Sequence, residues 1–387
     1  MERHTQPALY RDGYLRLPPA NLDDGGGRDM KWLACELHTH TLHSDGSQTL
    51  EELAAGAANL GFDAIALTDH NTMSGLIGKE EIEREYGLRI IPGMEWTTFY
   101  GHMVTIGLSA FADWRQVDRD RIDAGIEAVH RLGGIAGLAH PFRIGSPACT
   151  GCFWEYEIEN WSAVDYIEVW SGTFPSIQTN NRRAFDLWTD KLNEGYRIAA
   201  TSGRDWHAQG ETDEPISVTY LGIEDDAVAE NGDAAALSIH EETLIQALRE
   251  GRASVTIGPL LTLKLNADGA DYPIGSTVPS VVERQEAAAQ PILVNLTLDF
   301  SVRAGLWSLP KQICRLKLCS NLGEELSLEV PSSSDGQMMQ FEIQLTQSAP
   351  DIPRRWIRSE LWGTVRGAYV RVAFTNAIYF EEGGYPR

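Results

Sequence analysis

Histidine and carboxylate side chains recur in five short clusters between residues 36 and 207. The first cluster, ELHTHTLHSDG, contains His38 and His40 two positions apart, and Asp45 follows shortly afterwards. Alternate side chains of an extended strand point to the same face, so His38 and His40 can converge on one cation. This spacing alone is weak evidence for a metal site, because paired histidines also arise by chance.

The other four clusters add further groups that could bind metal. In chain order they contain Asp69, His70, Glu95, His102, His140, Asp205 and His207. Mixed imidazole and carboxylate ligands suit Zn²⁺, Mn²⁺ and Fe²⁺ better than Ca²⁺ or Mg²⁺. A single ion needs only about three or four protein ligands, so this set predicts a cluster of ions. The chemistry expected of such a cluster is hydrolysis by a metal-bound hydroxide.

The elements that must position these residues alternate between apolar runs and helical patterns from Trp32 to about Gly258. Strands are predicted at 33–38, 64–68, 88–92, 103–108, 135–139, 164–169, 196–201 and 253–257. Helices are predicted from Thr49, after Thr72, and near 113–132, 178–194 and 241–250. This alternation is typical of βαβ units, and so many units favour a closed α/β barrel over an open sheet. The clusters fall at or beside strand ends, where barrel enzymes carry their active sites.

The pattern changes after Gly258 to short alternating strands separated by turns rich in Gly, Pro and Ser. This texture predicts a small all-β, sandwich-like domain. The predicted organisation is therefore an N-terminal extension over 1–31, a metal-binding barrel over 32–258 and a β domain over 259–387. The β domain contains no cluster of metal ligands, so we expect it to pack on the barrel, to form an oligomer contact or to wall the substrate pocket.

Composition excludes several classes of protein. The 387 residues are 43% hydrophobic and 22% charged, which is typical of a globular protein. The formal net charge of −23 disfavours binding to nucleic acid or to an anionic membrane. Five cysteines, no long apolar run and no secretory signal pattern indicate a cytoplasmic protein. We therefore expect a small-molecule substrate and leave a homo-oligomer open.

The motifs HTH, SDG, DHN, AHP and DWH, with a Glu between DHN and AHP, resemble the PHP (polymerase and histidinol phosphatase) superfamily. The resemblance covers about Glu36 to His207 and implies a distorted seven-stranded (β/α)7 barrel. It also implies two or three divalent ions, Zn, Mn or Fe, and a role in catalysis for Glu95, Asp205 and His207. The implied ligands are His38, His40, Glu95 and Asp205 for one ion, Glu95, His102 and His140 for a second, and Asp45, His70 and His207 for a third.

Three further segments, GRDWH, SVTIGPLL and FTNAIYF, resemble the CehA/McbA-type branch, which pairs the barrel with a C-terminal β domain. That branch includes carbamate hydrolases, whereas phosphoesterases dominate the superfamily. The resemblance thus implies a hydrolase of a small organic phosphoester first, and of a carbamate, carboxyl ester or amide second. A third hypothesis, a non-catalytic metal-binding module, is disfavoured because no ligand is missing.

Several residues near the clusters have two interpretations. Asp69 is predicted to accept a hydrogen bond from a metal-bound imidazole rather than to bind metal. Glu168 either supports the site or contacts substrate. Arg143 and Arg204 could each clamp a phosphate or carboxylate, although Arg204 could equally pair with the acidic ligands.

Aromatic and cysteine residues also allow two interpretations. Trp206, with Trp96 and Trp170, either packs between barrel and helices or lines a pocket for an apolar leaving group. Cys149 and Cys152 form a CxxC pattern, which we interpret as structural because no second cysteine pair lies near it in the sequence.

Overall fold

The computed structural model describes residues 30–145, 153–224, 239–279, 291–332, 336–345 and 353–381. Nearly all of the predicted N-terminal extension lies outside these residues, as do Cys149 and Cys152. The described residues contain five α-helices and nineteen β-strands. None of these helices is long and apolar enough to span a membrane.

The first part of the chain mixes strands and helices. Its strands are β1 (Met30–Thr39), β2 (Ala64–Leu67), β3 (Arg89–Thr98), β4 (Gly101–Ile106), β5 (Ile135–Leu138), β6 (Tyr166–Ser171), β7 (Ala199–Gly203), β8 (Val218–Glu224) and β9 (Ala253–Thr256). Its helices are α1 (Leu50–Asn59), α2 (Lys79–Tyr86), α3 (Ile122–Arg131), α4 (Thr179–Glu194) and α5 (Glu241–Arg249). Short 3-10 turns lie at Ser74–Leu76, Trp114–Gln116, Trp161–Ala163 and Pro175–Ile177.

Strands β1 to β7 lie side by side in chain order, and β8 and β9 extend the sheet beyond β1. Just after β7, the backbone of Trp206 donates to the His38 carbonyl at 3.0 Å and accepts from the His40 amide at 2.9 Å. The end of β7 is thereby joined to the end of β1. The loops that follow β1, β2, β5, β6 and β7 therefore gather on one side, where the clustered residues lie.

The predicted mixed α/β class is confirmed, whereas the predicted distorted (β/α)7 barrel is not, because the described chain departs from strand–helix alternation at β3 and β4. Strands β3 and β4 are antiparallel and are joined by only Phe99 and Tyr100, which leaves no room for a helix. Gly101 makes this turn possible with φ of 133°, a value that other residues rarely adopt. Strand β4 is also antiparallel to β5, and the sequence analysis did not predict β8.

Helix α1 illustrates how the sequence sets an element boundary. The Thr49 hydroxyl accepts from the Glu52 amide at 3.1 Å, and the Glu52 carboxylate accepts from the Thr49 amide at 2.8 Å. This capping box satisfies two backbone donors at the start of the helix, which was predicted to begin at Thr49. Leu53, Ala54 and Ala57 then form the buried face of α1 against the sheet.

In the described residues after Gly258 the regular elements are all β-strands, as predicted. They are β10 (Leu260–Ala267), β11 (Ala270–Pro273), β12 (Thr277–Val278), β13 (Leu293–Asp299), β14 (Ile313–Ser320), β15 (Gly323–Pro331), β16 (Met338–Gln344), β17 (Trp356–Val365), β18 (Ala368–Thr375) and β19 (Ile378–Phe380). Strands β11, β10, β13 and β16 form a separate sheet, in which alternate side chains are buried. The remaining strands join the larger sheet, because β18 pairs with β9. Hydrogen bonding therefore continues across the predicted boundary near Gly258.

A buried ionic group fastens helix α4 to the C-terminal strands. Arg358 contacts Glu360 at 3.0 Å and donates to the Thr189 hydroxyl of α4 at 3.0 Å, while Arg371 contacts Glu360 at 2.9 Å. Although burial opposes charge on this carboxylate, Arg371 and Arg358 lower the pKa of Glu360 to about 2. Glu360 is therefore charged over the whole physiological pH range.

The first prediction concerns this group. Glu360→Gln should destabilise the protein by roughly 3–5 kcal/mol, because two arginines are left without their counter-charge. Since the folded-state pKa of Glu360 is depressed, its contribution is complete above the ordinary pKa of 4.5 and is lost as pH falls toward 2. Urea unfolding at pH 7 and at lower pH measures both effects. The exposed ion-pair variant Glu329→Gln is the control, and an equal loss in both variants would contradict the prediction.

Candidate metal centre

Glu95 lies at the middle of the candidate site, inside strand β3 rather than after a strand as predicted. One of its oxygens, Oε2, lies 3.2 Å from His38 Nε2 and 3.4 Å from His40 Nε2. The Asp205 Oδ1 atom lies 3.4 Å and 3.1 Å from the same two nitrogens. His38 and His40 flank the end of β1, and Asp205 follows β7. The two strand ends and β3 thus bring four donor atoms together.

These four donor atoms fit a bound cation. Within the described chain, His38 Nε2, His40 Nε2, Glu95 Oε2 and Asp205 Oδ1 are buried and have no hydrogen-bond partner. A buried polar atom without a partner costs about 1–3 kcal/mol, and more when it is charged. Two imidazoles and two carboxylates facing one point would satisfy a divalent transition metal. The four donor atoms therefore fit the divalent metal ion that the sequence implied.

The protonation of the carboxylates also suits metal binding. Although burial opposes their charge, the nearby histidines lower the pKa of Glu95 and of Asp205 well below the usual range. Both are therefore ionised at neutral pH, as a metal ligand must be. Burial lowers the pKa of His40, whereas Glu168 and Glu95 raise the pKa of His38 despite its burial.

A second group of donors lies on the other side of the Glu95 carboxylate. Its Oε1 atom is 2.8 Å from His102 Nδ1 and 3.3 Å from His140 Nε2. His102 lies in β4, and His140 follows β5. The two oxygens of Glu95 therefore face two different sets of histidines, which is the arrangement expected of a carboxylate that bridges two ions.

A third group lies nearer to solvent. Asp45 Oδ1 is 3.3 Å from His70 Nε2 and 3.0 Å from His207 Nε2. His40 lies close enough to share this group, and its ring stacks on that of His207 with 4.1 Å between centroids. The family resemblance had assigned His40 to the first group alone.

Hydrogen bonds orient two of the six candidate imidazoles, those of His38 and His207. His38 Nδ1 is bonded to a Glu168 oxygen at 2.7 Å, and His207 Nδ1 donates to the backbone carbonyl of Asp205 at 2.8 Å. In both cases the other ring nitrogen faces the carboxylates. Of the two roles considered for Glu168, its position fits support of His38, and it does not line the cleft described below.

Asp69 acts differently from the prediction. It was expected to accept a hydrogen bond from an imidazole, but it accepts from the Thr41 amide at 2.7 Å, from the Thr41 hydroxyl at 2.6 Å and from the Ser44 hydroxyl at 2.7 Å. These bonds hold the loop that carries Asp45. The described hydrogen bonds of Asp69 thus go to the loop after β1 and not to an imidazole.

Glu36 is a site residue that the sequence analysis missed. Its Oε1 atom accepts from the His38 amide at 3.1 Å and from the Arg204 amide at 2.8 Å, which links the ends of β1 and β7. Burial raises the pKa of Glu36 to about 7. A charged residue in the apolar run WLACELH, two positions before His38, was the available signal.

A cleft of about 360 Å³ opens beside these groups. Arg143 lies in it with its guanidinium 2.5 Å from Asp205 Oδ2. The apolar side chains that line the cleft are those of Ala139, Ile144, Phe153 and Trp154. Trp154 is fixed by a bond from its amide to the Pro141 carbonyl at 3.0 Å.

Three residues predicted to contact substrate do not line this cleft. Glu168 bonds to His38, and Arg204 lies over the ring of Trp206 at 4.5 Å. Trp206 is 3% exposed and packs in the core with α1, as Trp96 and Trp170 also pack in the core. The three tryptophans are therefore part of the hydrophobic core. The pocket aromatics are instead Phe153 and Trp154, in an irregular segment whose sequence gave no periodic signal.

Residues 36–144 match the family model of the PHP domain. The matched range contains seven of the nine candidate ligands and ends before Asp205 and His207. The match covers less than a third of the chain. This agrees with the motif resemblance from His38 to His140.

Curated relatives match over short segments. The phosphoribosyl 1,2-cyclic phosphate 1,2-diphosphodiesterase of Eggerthella lenta is 34% identical over 64 residues, which are 16% of this chain and 24% of that enzyme. The 5'-3' exoribonuclease Rnm of Escherichia coli is 39% identical over 67 residues, 17% of this chain and 23% of that enzyme. An uncharacterized protein of Methanocaldococcus jannaschii is 26% identical over 128 residues, 30% of this chain and 71% of its own length. The chain spans about a quarter of the two enzymes.

Solved structures show only a distant likeness. A two-domain protein from Bacteroides vulgatus that contains a predicted PHP-like metal-dependent phosphoesterase aligns over 96% of this chain and 100% of its own, with a TM-score of 0.45 and 15% identity. An amidohydrolase from Chromobacterium violaceum with bound sulfate aligns over 46% of this chain and 88% of its own, with a TM-score of 0.33 and 20% identity.

Proposed function

We propose that this protein is a metal-dependent hydrolase that cleaves a small organic phosphoester with a metal-activated water. The observation that carries the proposal is the Glu95 carboxylate, whose two oxygens face two separate sets of histidines. The unpartnered buried atoms around Glu95 Oε2 support the same interpretation.

We propose a ligand assignment in three groups. These are His38, His40, Glu95 and Asp205; Glu95, His102 and His140; and Asp45, His70 and His207. When bound, two or three ions of Zn, Mn or Fe would polarise the substrate and activate the attacking water. Glu95 and Asp205 hold their positions through strands β3 and β7, and Glu168 fixes the ring of His38.

Charge balance favours an anionic substrate. The nine proposed ligands contain six neutral imidazoles and three carboxylates, so they contribute three negative charges. Two divalent ions would exceed this charge by one, and three ions would exceed it by three. Arg143 adds a further positive charge in the cleft. A phosphoester oxygen therefore meets a cationic centre, although the whole chain is strongly acidic.

The choice of a phosphoester first also rests on the relatives, which include a phosphodiesterase and an exoribonuclease. The net charge of −23 supports a small molecule over a nucleic-acid polymer. We propose no role for membrane or nucleic acid.

A second candidate function is hydrolysis of a carbamate, carboxyl ester or amide, as in the CehA/McbA-type branch. The observation that favours it is the apolar side of the cleft, formed by Ile144, Phe153 and Trp154. These side chains suit an uncharged aromatic or alkyl group. A third candidate, a metal-binding module without activity, shares the same ligands and differs only in lacking turnover.

The second prediction separates these candidates. Protein reconstituted separately with Zn²⁺, Mn²⁺ or Fe²⁺ should hydrolyse p-nitrophenyl phosphate or its bis-ester at least about tenfold more efficiently than 1-naphthyl acetate or a 1-naphthyl carbamate, because the centre is cationic. Values of kcat/KM on this panel provide the measurement, and Asp205→Asn serves as the inactive control. Cleavage confined to the carbonyl compounds would replace the phosphoester with the second candidate. Full metal loading without turnover on a wider panel would favour the third.

A further inference from the structure

Strand β7 leads directly to Asp205, and its two edges are held in different ways. On one edge, β7 pairs with the parallel strand β6 from Ala199 to Gly203. On the other edge, the described chain provides no strand that pairs with it before Trp206. The backbone groups on this second edge would otherwise lack partners in the interior.

An asparagine from the C-terminal part takes the place of a neighbouring strand at Ala200. The Asn376 Oδ1 atom accepts from the Ala200 amide at 2.6 Å, and Nδ2 donates to the Ala200 carbonyl at 2.9 Å. Asn376 also donates from its backbone amide and from Nδ2 to the Ala253 carbonyl, at 2.9 and 3.1 Å. It is 1% exposed. Its amide thus binds β7 as a peptide group would and ties it to β9.

The next alternate residues of the same edge are held by side chains as well. The Thr219 hydroxyl accepts from the Ser202 amide at 2.9 Å and donates to the Ser202 carbonyl at 3.1 Å. Glu36 then accepts from the Arg204 amide at 2.8 Å. Regular pairing resumes only at Trp206, which bonds to the end of β1.

The position of β7 matters because it approaches the candidate ligands closely. A Cβ atom at Gly203 would lie only 2.5 Å from the Cβ of His38 and 2.6 Å from a Glu168 oxygen. Asp205 has φ of 54°, a left-handed conformation that persists only where its surroundings enforce it. A small shift of β7 would therefore move Asp205 relative to His38.

We propose that Asn376 is a positioning residue for the metal centre, which sets the position of β7 and hence of Asp205 against His38. The inference rests on the proposed metal-binding function. The described hydrogen bonds of Asn376 all go to backbone atoms. The inference adds that this C-terminal residue nevertheless controls metal affinity. The C-terminal strands are therefore part of what builds the site.

The third prediction tests this with Asn376→Ala. We expect Zn²⁺ affinity at the tightest site to fall roughly 10–100-fold, as when a residue that supports a ligand is lost. In the metal-free protein, amide hydrogen exchange over residues 200–206 should become faster while exchange over β3 is retained. Leu316→Ala, a buried truncation in β14, is the control for a general loss of stability.

Several outcomes would overturn the proposal. One is unchanged Zn²⁺ affinity and unchanged exchange in Asn376→Ala. Another is an equal loss of affinity in Leu316→Ala at a matched fall in Tm. If Asn376→Ala does not fold, Thr219→Val tests the same edge with the same expectations. If the unaltered protein binds no Zn²⁺, the proposed function fails, and the exchange of residues 200–206 alone decides whether Asn376 positions β7.

Discussion

Replacing Glu95 with glutamine should remove about two metal equivalents from the purified protein and lower turnover by at least about 10³-fold. The carboxylate is fully buried, and both of its oxygens face imidazole nitrogens at 2.8–3.4 Å. An amide in its place loses the negative charge and points an N–H donor at one of the two groups. Several kcal/mol of transition-state stabilisation by metal are lost with the ions, which corresponds to three or more powers of ten.

Elemental analysis and single-turnover kinetics on the same preparation measure both effects of Glu95→Gln. The matched control is Glu83→Gln, which alters a buried glutamate of α2 that contacts Lys79 and Arg89 and lies outside the candidate groups. The control should keep its metal and its turnover. A Glu95→Gln protein that carries the wild-type metal content would show that this carboxylate does not bridge ions.

The structure brings the predicted ligands together where they lie on or beside a strand. His38 and His40 share one face of an extended strand, and this geometry follows from two-residue spacing alone. Glu95 was predicted just after β3, whereas the strand continues to Thr98 because the hairpin with β4 extends it. The structure therefore places Glu95 among the candidate donors, although in a different structural setting from the predicted one.

Side-chain direction was not predictable at the loop residues. Arg204 and Trp206 lie on either side of Asp205 in the sequence, yet neither lines the cleft. Adjacent residues of an extended segment point to opposite sides, so proximity to a ligand in sequence often means the opposite face. Phe153 and Trp154 show the opposite case. They line the cleft, although their part of the sequence has neither helical nor strand periodicity.

Contacts between residues far apart in the chain were also not predictable from the sequence. The FTNAIYF segment carries a family resemblance. Nothing in its residues predicts that Asn376 binds Ala200, which lies 176 positions away. The same holds for Thr219 on β8, a strand that the sequence analysis did not predict. Such contacts depend on which strands become neighbours, and that is decided by the packing of the whole sheet rather than by local pattern.

Removal of the bound metal ions should lower both activity and stability, and this is the second of the two largest expected effects. The unpartnered donors around Glu95 and Asp205 lie in the interior, so ions that bind them stabilise the folded state. Ions present at about 1,000 times their dissociation constant add about 4 kcal/mol. Chelation should therefore abolish turnover and lower the Tm by roughly 5 °C.

Calorimetry and turnover before and after dialysis against a chelator measure this fifth prediction, and metal analysis verifies removal. Readdition of Zn²⁺, Mn²⁺ or Fe²⁺ one at a time should restore the Tm, whereas turnover should return only with the metals that support catalysis. His140→Ala removes a ligand of the second group alone, so it should show a smaller Tm shift upon chelation than the unaltered protein. Full turnover at less than a tenth of an equivalent of metal would refute the proposed mechanism, since the donors around Glu95 would then be stable and active without an ion.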